Sequence, residues 1–545
     1  MLDFIKNASL ISENQIGFKE KSRTSDHIFT IKTITDYYKN KKQKVYAAFI
    51  DLRKAFDTIW RVGLYYKLLK SNIHTNMFNI IFSMYENTKT KIKFASGLSK
   101  AFTSECGVKQ GDILSPSLFN IFINGIVDEL KAGNCDPVQI GEISVNCLLY
   151  ADDIVLLSES KSGLQNCLNI LETYCSNWKL QVNVEKSKVL IFNSNGKFCI
   201  NEFTYNGSIL QTVSKFCYLG LTLKCNGNLN LAMSVLVEKA RKAYFKIKKT
   251  IGLDNSCKLL EKLFDSIITP VLLYCCEIWG ICNNIDENSI IEKFHMKFIK
   301  EILGVHCKTT NAPCRADLGR QPLWTRIQFS SIKFWNHLIT SKNTLAFKIY
   351  KTTVNTNSWT KNIFSIFNKL GFSFITKKEN SIKSLLRSIK QRISDQCLQE
   401  ESAKIYNSSK LKFYQVVFNN FKRCGYTDIL KKKTDRSIIS RLRLSAHNLA
   451  IEKGRHFSIP TDKRFCNICN TQEIEDEFHF LFSCHKYSNH RLTFERNLNS
   501  VHGKILNMSY TQKVKLCFNS HCPEVLKITN SFIKKCITSR NDCIT

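Results

Sequence analysis

Residues 147–157, CLLYADDIVLL, decide the fold of this chain. Apolar, β-favouring runs flank the adjacent acids Asp152 and Asp153, which predicts a strand, a tight turn and a second strand. Both acids would lie on one turn, where their charges repel each other unless a cation or solvent compensates. Magnesium is the usual cation for such oxygen ligands, together with substrate phosphates. The pattern indicates metal-assisted phosphoryl or nucleotidyl transfer, although an Asp-Asp pair alone is also common in ordinary turns.

A third carboxylate occurs in a similar setting upstream. Residues 46–52, YAAFIDL, predict a buried strand that presents Asp51, followed by a turn into a helix from about Asp57. Between the acidic segments, residues 107–116, GVKQGDILSP, predict a glycine-rich loop that opens into a helix over residues 117–130, with a serine–proline pair at its start. The amides of such a loop and helix start favour phosphate. The three acids and the loop together indicate a nucleotide-handling metal site.

The order FIDLRKAFD, QGDILSP and YADD resembles palm motifs A, B and C of reverse transcriptases, and the non-LTR (LINE-type) retrotransposon branch matches best. Residues 15–27 resemble the last fingers motif, residues 180–188 motif D, and residues 216–220 the primer-grip motif E. The alanine of YADD differs from the Gly-Asp-Asp turn of viral RNA-dependent polymerases. A group II intron-type maturase is a more distant alternative. Six ordered motifs are more specific than any one of them.

The resemblance implies RNA-directed DNA polymerase activity with two catalytic Mg²⁺ ions, which Mn²⁺ could replace. Asp51 and Asp152 would bind the ions, with Asp153 as the neighbouring acid. Two such ions stabilise the attacking and leaving oxygens of an in-line displacement. The nucleophile would be a primer 3′-hydroxyl, and pyrophosphate would leave.

The resemblance also implies a set of residues around the incoming deoxynucleoside triphosphate. Leu52 would add a backbone ligand, and Phe56 would be the steric gate that excludes a ribose 2′-hydroxyl, with a core aromatic as the alternative. Gln110 and Gly111 would line the nucleotide pocket. Lys186 would protonate pyrophosphate; the nearby Lys188 is a competing candidate, and a solvated surface position is the alternative for both lysines.

Composition agrees with a nucleic-acid partner. The 545 residues contain 79 Lys and Arg against 45 Asp and Glu, a formal charge of +34, and 43% hydrophobic residues, enough to bury several cores. The expected partners are an RNA template and a DNA primer or target DNA, although a lysine-rich composition would itself explain part of the charge. No apolar run is long enough to span a membrane, so no membrane partner is expected. The 23 scattered cysteines indicate a reducing intracellular compartment, the nucleus, the cytoplasm or both.

One group of cysteines has the spacing of a metal site. Cys466, Cys469, His479 and Cys484 follow the pattern C-x2-C-x9-H-x4-C, a four-ligand set for structural Zn²⁺, with His485 as a second-choice ligand. The resembled family often carries such a motif after the polymerase. It would contact nucleic acid or serve only as a structural clip.

The predicted fold class is α+β: a right-hand polymerase palm with an antiparallel sheet and helices, a helical thumb, and a helical C-terminal region with a small zinc motif. The predicted segments are partial fingers over 1–45 with helices over 2–7 and 25–38, the palm over 46–225, the thumb over 226–305, a basic helical region over 306–460, the zinc motif over 461–490 and a tail over 491–545. A basic stretch over residues 431–455 is suited to holding template RNA or target DNA; it comprises Lys431, Lys432, Lys433, Arg436, Arg441, Arg443 and Arg455.

The chain resembles the C-terminal part of a retrotransposon open reading frame, because the earlier fingers segment and an endonuclease are missing from it. RNA-directed DNA synthesis is the main functional hypothesis. The alternative is a truncated, catalytically impaired retrotransposon-derived protein that still binds nucleic acid.

Overall fold

The computed structural model describes residues 10–283, 285–377, 381–469, 471–503 and 505–542. The predicted helix over residues 2–7 lies outside the described residues. The chain forms two units, each discontinuous in sequence. The first comprises Met1–Ala232, Cys275–Asn283 and Ser331–Lys383, and the second comprises Met233–Tyr274, Asn284–Ser330 and Ser384–Thr545. The fold is mixed α/β, as the sequence predicts at the level of fold class.

The named strands of the described chain lie in the first unit. They are β1 (Val45–Ile50), β2 (Lys89–Thr90), β3 (Lys93–Phe94), β4 (Gly97–Leu98), β5 (Phe102–Thr103), β6 (Val138–Ile140), β7 (Ile143–Val145), β8 (Cys147–Tyr150), β9 (Asp153–Ser158), β10 (Lys188–Phe192), β11 (Phe203–Tyr205), β12 (Ser208–Leu210), β13 (Thr212–Val213), β14 (Lys215–Tyr218) and β15 (Leu221–Lys224).

Helices occur in both units. The α-helices are α1 (Thr24–Asn40), α2 (Arg61–Lys70), α3 (Thr75–Tyr85), α4 (Ser115–Ala132), α5 (Lys161–Asn177), α6 (Asn230–Ile251), α7 (Cys257–Leu263), α8 (Thr269–Leu272), α9 (Cys276–Cys282), α10 (Ile290–Leu303), α11 (Asn311–Leu318), α12 (Leu323–Thr340), α13 (Leu345–Thr353), α14 (Ser358–Lys369), α15 (Leu386–Tyr406), α16 (Lys412–Val417), α17 (Tyr426–Ile429), α18 (Lys433–Arg443), α19 (Ala450–His456), α20 (Ser488–His502), α21 (Tyr510–Asn519) and α22 (Pro523–Asp542). Short 3₁₀ or π segments are Phe264–Ile268, Ser373–Lys377, Lys383–Leu385, Ser409–Leu411, Thr461–Lys463, His479–Ser483, His485–Tyr487 and Ile505–Asn507.

A five-stranded sheet in the order β13–β10–β1–β9–β8 organises the first unit. β1 pairs antiparallel with both β9 and β10, and β13 adds a parallel edge. The central strands are buried because their apolar side chains are covered on both faces. On one face the ring of Phe49 stacks on Phe216 of the β14–β15 hairpin, at 4.5 Å between ring centroids.

Helices α4 and α5 cover the opposite face of the sheet. The stripe of α5 predicted from helical spacing, Leu164, Leu168, Leu171 and Cys175, is fully buried. Helix α4 begins at Ser115, two residues before the predicted start, and the Ser115 hydroxyl donates to the Lys109 carbonyl (2.6 Å) instead of capping the helix. The sheet, α4 and α5 share one hydrophobic core.

The second unit is helical and contains ion networks in its interior. The guanidinium of Arg315 is fully buried and pairs with Glu287 (2.7 Å), Glu292 (3.3 Å) and Glu401 (2.5 Å). Two residues further on, the buried carboxylate of Asp317 accepts hydrogen bonds from Arg443 and Tyr426. Such groups are stable in the interior only because each charge meets an opposite charge or a donor.

These networks correct one expectation about the basic stretch over 431–455. Arg436 and Arg443 are buried, and their guanidinium groups bind backbone carbonyls and the Asp317 carboxylate. They therefore hold the second unit together and are not accessible to a nucleic acid. Arg441 is exposed. The spacing of arginines alone did not distinguish the two settings.

No single helix in the described part of the chain is long and apolar enough to cross a membrane; one bent pair, Cys257–Leu272 with Cys276–Cys282, meets the length and composition criteria only jointly.

A buried lysine in the first unit gives the fold a pH dependence. Lys67 on α2 donates to the Tyr174 hydroxyl (2.6 Å) and lies 3.6 Å from the centre of the Trp178 ring. Burial lowers the pKa of Lys67 from 10.5 to about 7, although Glu129 opposes the shift. Between these two pH values the unfolded chain holds the proton and the folded chain does not, so stability should rise with pH.

Replacement of Lys67 by methionine should therefore flatten the increase in unfolding free energy between pH 7 and pH 10. Urea unfolding at several pH values measures this slope, and the Lys70→Met variant on the exposed face of the same helix is the control. Equal slopes in the wild type and the Lys67→Met variant would contradict the assignment.

Candidate functional site

The acidic turn closes a tight hairpin between β8 and β9. Tyr150 pairs with Asp153 across the turn, and Ala151 has a positive φ of 55°, as in turns with a left-handed first central residue. The pairing of Ile50 with Ile154 continues β1 alongside β9 and brings Asp51 to the same end of the sheet. The structure thus brings together the three acids predicted from the sequence.

Burial and mutual repulsion raise the pKa of two of the acids. Burial raises the pKa of Asp153 to about 6, with further contributions from the negative charges of Asp152 and Asp51. Burial and the Asp51 charge also raise the pKa of Asp152. A cation at this position would favour the ionised forms of Asp152 and Asp153.

Lys186 is the lysine that reaches the acidic site. Its Nζ lies 3.8 Å from Asp51 Oδ2, and its side chain is 70% exposed. The Nζ of Lys188 instead donates to the Glu185 carbonyl at 2.5 Å. Lys186, Asp51 and Asp153 line a cleft of about 220 Å³ together with residues of the β14–β15 hairpin. Of the two lysines predicted as alternatives, the geometry favours Lys186.

The backbone of Asp51 is anchored by a residue that the sequence did not single out. Ser187 is fully buried, and its hydroxyl accepts a hydrogen bond from the Asp51 amide (3.1 Å) while donating to the Asn183 carbonyl (2.8 Å). The backbone N–H of Asn183 in turn donates to the backbone carbonyl of Asp51 (2.8 Å). This segment therefore fixes Asp51 and also positions the adjacent Lys186.

Gln15 anchors the acidic turn from the other side. Its buried side chain accepts a hydrogen bond from the Ala151 amide (3.0 Å) and donates to the Ala151 carbonyl (3.2 Å). The same Oε1 accepts from the Gly17 amide at 2.8 Å. A Cβ atom on Gly17 would lie 2.1 Å from the Ala151 nitrogen, so only glycine fits there. Sequence alone marked residues 15–17 as a motif but gave no sign that Gln15 holds the turn.

Two of the residues predicted to surround a nucleotide, Phe56 and Gln110, belong to segments that contact each other. The Phe56 ring stacks on Phe119, at 4.8 Å between centroids, and is half-buried. Gln110 Nε2 donates to Asp57 Oδ1 at 2.7 Å, which links the glycine-rich loop to the segment after β1. Gly111 is exposed, with φ +85° and open space where a Cβ would project.

Leu52 directly follows Asp51 in the chain. Its side chain is buried, and its backbone forms an isolated bridge with Val182.

The predicted cysteine–histidine set forms a cluster in the second unit. Ligand atoms of Cys466, Cys469, His479 and Cys484 all lie within 4.8 Å of one another, and all four residues are buried. His485, the second-choice ligand, is exposed and does not belong to the cluster. The soft sulfur and imidazole donors suit a tetrahedral metal ion.

Neighbouring side chains orient the cluster. Glu473 Oε2 lies 2.7 Å from Nδ1 of His479, which leaves Nε2 facing Cys469 at 3.4 Å. Hydrogen bonding from Cys484 lowers the pKa of Cys466 and favours the thiolate that a metal binds.

Glu475, in the same segment, is almost fully buried and binds both Nε and Nη2 of Arg540 on α22 (2.8 and 2.7 Å).

Solved structures with partial similarity include two yeast telomerases. Telomerase from Candida albicans, in complex with a fragment of telomeric RNA, has a TM-score of 0.32 and 12% identity over 72% of this chain and 55% of that chain. Apo telomerase from Candida tropicalis has a TM-score of 0.32 and 14% identity over 72% and 59%. Scores this low do not establish a shared fold.

Curated relatives are polymerases of mobile elements. The RNA-directed DNA polymerase from the mobile element jockey of Drosophila funebris is 26% identical over 62% of this chain and 37% of its own length. The probable RNA-directed DNA polymerase from transposon BS of Drosophila melanogaster is 24% identical over 53% and 32%. The matched stretch therefore spans little more than a third of the jockey polymerase.

The match to a known protein family lies within the first unit. Residues 1–223, which contain the three acids, the glycine-rich loop and both anchoring residues, match the family described as reverse transcriptase (RNA-dependent DNA polymerase). Over these residues the chain is similar to reverse transcriptases, and more widely it is similar to the RNA-directed DNA polymerases of mobile elements.

Proposed function

We propose that this chain copies RNA into DNA by two-metal nucleotidyl transfer. The observation that carries the proposal is the convergence of Asp51, Asp152 and Asp153 at one end of the central sheet. The substrates would be deoxynucleoside triphosphates, an RNA template, and a DNA primer or target DNA.

The donor set at this end of the sheet fits magnesium. All three groups are carboxylates, and burial, with a further contribution from the neighbouring negative charges, raises the pKa of Asp153 and Asp152. Bound Mg²⁺ would supply Lewis-acid stabilisation of the attacking and leaving oxygens. Asp51, Asp152 and Asp153 would hold it, and Mn²⁺ has similar ligand preferences.

Other residues would orient the nucleotide and move a proton. Phe56, stacked on Phe119, would form the floor beneath the sugar and exclude a 2′-hydroxyl. Gln110 and Gly111 would line the base and phosphate side, and the Leu52 backbone would add an oxygen ligand. Lys186, within reach of Asp51, would give its proton to the leaving pyrophosphate.

We also propose a role for each segment of the chain. The five-stranded sheet with α4 and α5 would be the palm within 46–225, and residues 1–45 partial fingers. Residues 226–305 would be the thumb, residues 306–460 a basic helical region, residues 461–490 a zinc motif and residues 491–545 a tail. An intracellular location, in the nucleus, the cytoplasm or both, completes the proposal.

The Asp152→Asn variant should lose at least about a thousandfold of primer extension, because one anionic ligand is removed without a change of shape. Extension of a DNA primer on an RNA template with Mg²⁺ measures this. Asp128→Asn, on the exposed face of α4, is the matched control and should extend normally. Nucleic-acid binding by the wild type without any incorporation would favour the alternative of a catalytically impaired remnant.

The Gln15→Ala variant should lower kcat about 10- to 100-fold, because the turn that carries Asp152 loses both side-chain hydrogen bonds. The KM for the nucleotide should change much less, since Gln15 is buried behind the turn. Single-nucleotide incorporation separates the two constants, with the exposed Gln139→Ala as control. An unchanged kcat would show that the turn keeps its shape without Gln15.

The cysteine–histidine cluster would hold one structural Zn²⁺. Metal analysis should find about one zinc per chain in the wild type and in Cys307→Ala, an exposed cysteine outside the cluster. Cys469→Ala should lose the zinc and melt at a lower temperature, because binding of a structural ion contributes directly to folding. Equal zinc content in all three proteins would be inconsistent with this site.

A further inference from the structure

The second unit contains a long basic groove to which no function has been assigned. Two adjoining clefts, of about 830 and 760 Å³, share Val305, Ser437 and Arg441 in their walls. The shared wall consists of helix α18 and the segment that directly follows α10, whereas α10 itself lines only the second cleft. Phe480, next to His479 of the cysteine–histidine cluster, lies in the first cleft. We call the two clefts together the α10–α18 groove.

Five cations of this groove come from α10, the segment that follows it and α18; four of them are exposed and Lys433 is half-buried. Lys293 and Lys297 lie one helical turn apart on α10, about 6 Å along the axis, and both are exposed. Lys308 follows α10, and Lys433 and Arg441 lie on α18. Within the described residues none of these five side chains forms an ion pair, and Arg441 donates only to the Gly304 carbonyl.

The carboxylates of the groove, in contrast, are already neutralised. Glu287 pairs with Arg315 and Lys404 (2.7 and 2.8 Å). Glu301 pairs with Lys248 and accepts from Tyr244, and Glu452 pairs with Arg455 (2.8 Å). The charge that the groove presents to a ligand is therefore strongly positive.

We infer that the α10–α18 groove binds the sugar–phosphate backbone of a nucleic-acid strand, as a contact surface separate from the acidic site of the first unit. Unpaired cations aligned along an open groove match a polyanion of regular charge spacing, since each bound phosphate releases condensed counterions. Lysines on such a surface position a strand without reading its bases. The inference rests on the proposed function for the nature of the partner. Its test is a binding measurement, whereas the proposed function is tested by nucleotide incorporation.

The test uses the full chain and a fluorescein-labelled 20-nucleotide single strand of RNA, with a DNA strand of the same sequence in parallel. The variant Lys293→Ala/Lys297→Ala/Arg441→Ala removes three groove cations. The control, Lys258→Ala/Lys262→Ala/Arg392→Ala, removes two lysines of the same spacing on α7 and one arginine on α15, all exposed in the second unit and outside the groove.

The groove variant should bind at least about tenfold more weakly than the control at moderate salt. Its slope of log affinity against log salt should fall by about 2, as expected for three lost contacts to a single strand. Far-UV circular dichroism and the melting temperature should match those of the control, because all three residues are exposed. If the variant loses affinity equally for RNA and DNA, the groove recognises the backbone that the two share. A larger loss for one of them identifies the type of strand that binds in the groove.

Two results would overturn the inference. Equal affinities of the groove variant and the control would show only a general effect of net charge. Preferential displacement of the RNA from the wild type by polyglutamate, with loss of polyglutamate binding in the groove variant, would assign the groove to an acidic protein segment. The Asp152→Asn variant should bind like the wild type, so failure of polymerisation and failure of groove binding are separable.

Discussion

Three negative charges confined at one end of a sheet are the constraint on which the first unit depends. Asp51, Asp152 and Asp153 would move apart if their backbones were free, because half-buried like charges repel strongly. Two anchors prevent this. Gln15 binds both polar groups of Ala151 on one side, and Ser187 binds the Asp51 amide on the other. The three carboxylates are therefore held close together, the arrangement that the proposed metal ions would require.

In the second unit, buried charges are compensated by neighbouring groups of the protein. Each of these buried ions has partners of opposite charge. Arg315 pairs with three glutamates, and Asp317 pairs with Arg443 and also accepts hydrogen bonds from two tyrosine hydroxyls. Breaking one such pair would leave an uncompensated buried charge. In the α10–α18 groove the acids are also paired, while five cations among the described residues are not, which leaves the groove positive. One unit thus concentrates negative charge at one end of its sheet, and the groove of the other presents positive charge to solvent.

Much of the first unit could be predicted from sequence, because its signals are local. The acidic turn, the strand before Asp51 and the apolar stripe of α5 each depend on neighbouring residues. The anchors were missed because Gln15 lies more than a hundred residues from Ala151, and only the folded sheet shows that its amide is buried. The cysteine–histidine cluster was predictable from spacing. Arg436 and Arg443 were misjudged because burial of an arginine depends on carbonyls and acids far away in sequence.

The pairing of Glu475 with Arg540 links helix α22 to the cysteine–histidine segment. The almost fully buried carboxylate lies in that segment, and its cation lies 65 residues further along the chain. Removal of the Arg540 side chain would leave this carboxylate without its counter-charge, a loss of about 3–5 kcal/mol. A substitution in α22 should therefore destabilise the cysteine–histidine segment even when all four predicted ligands are intact.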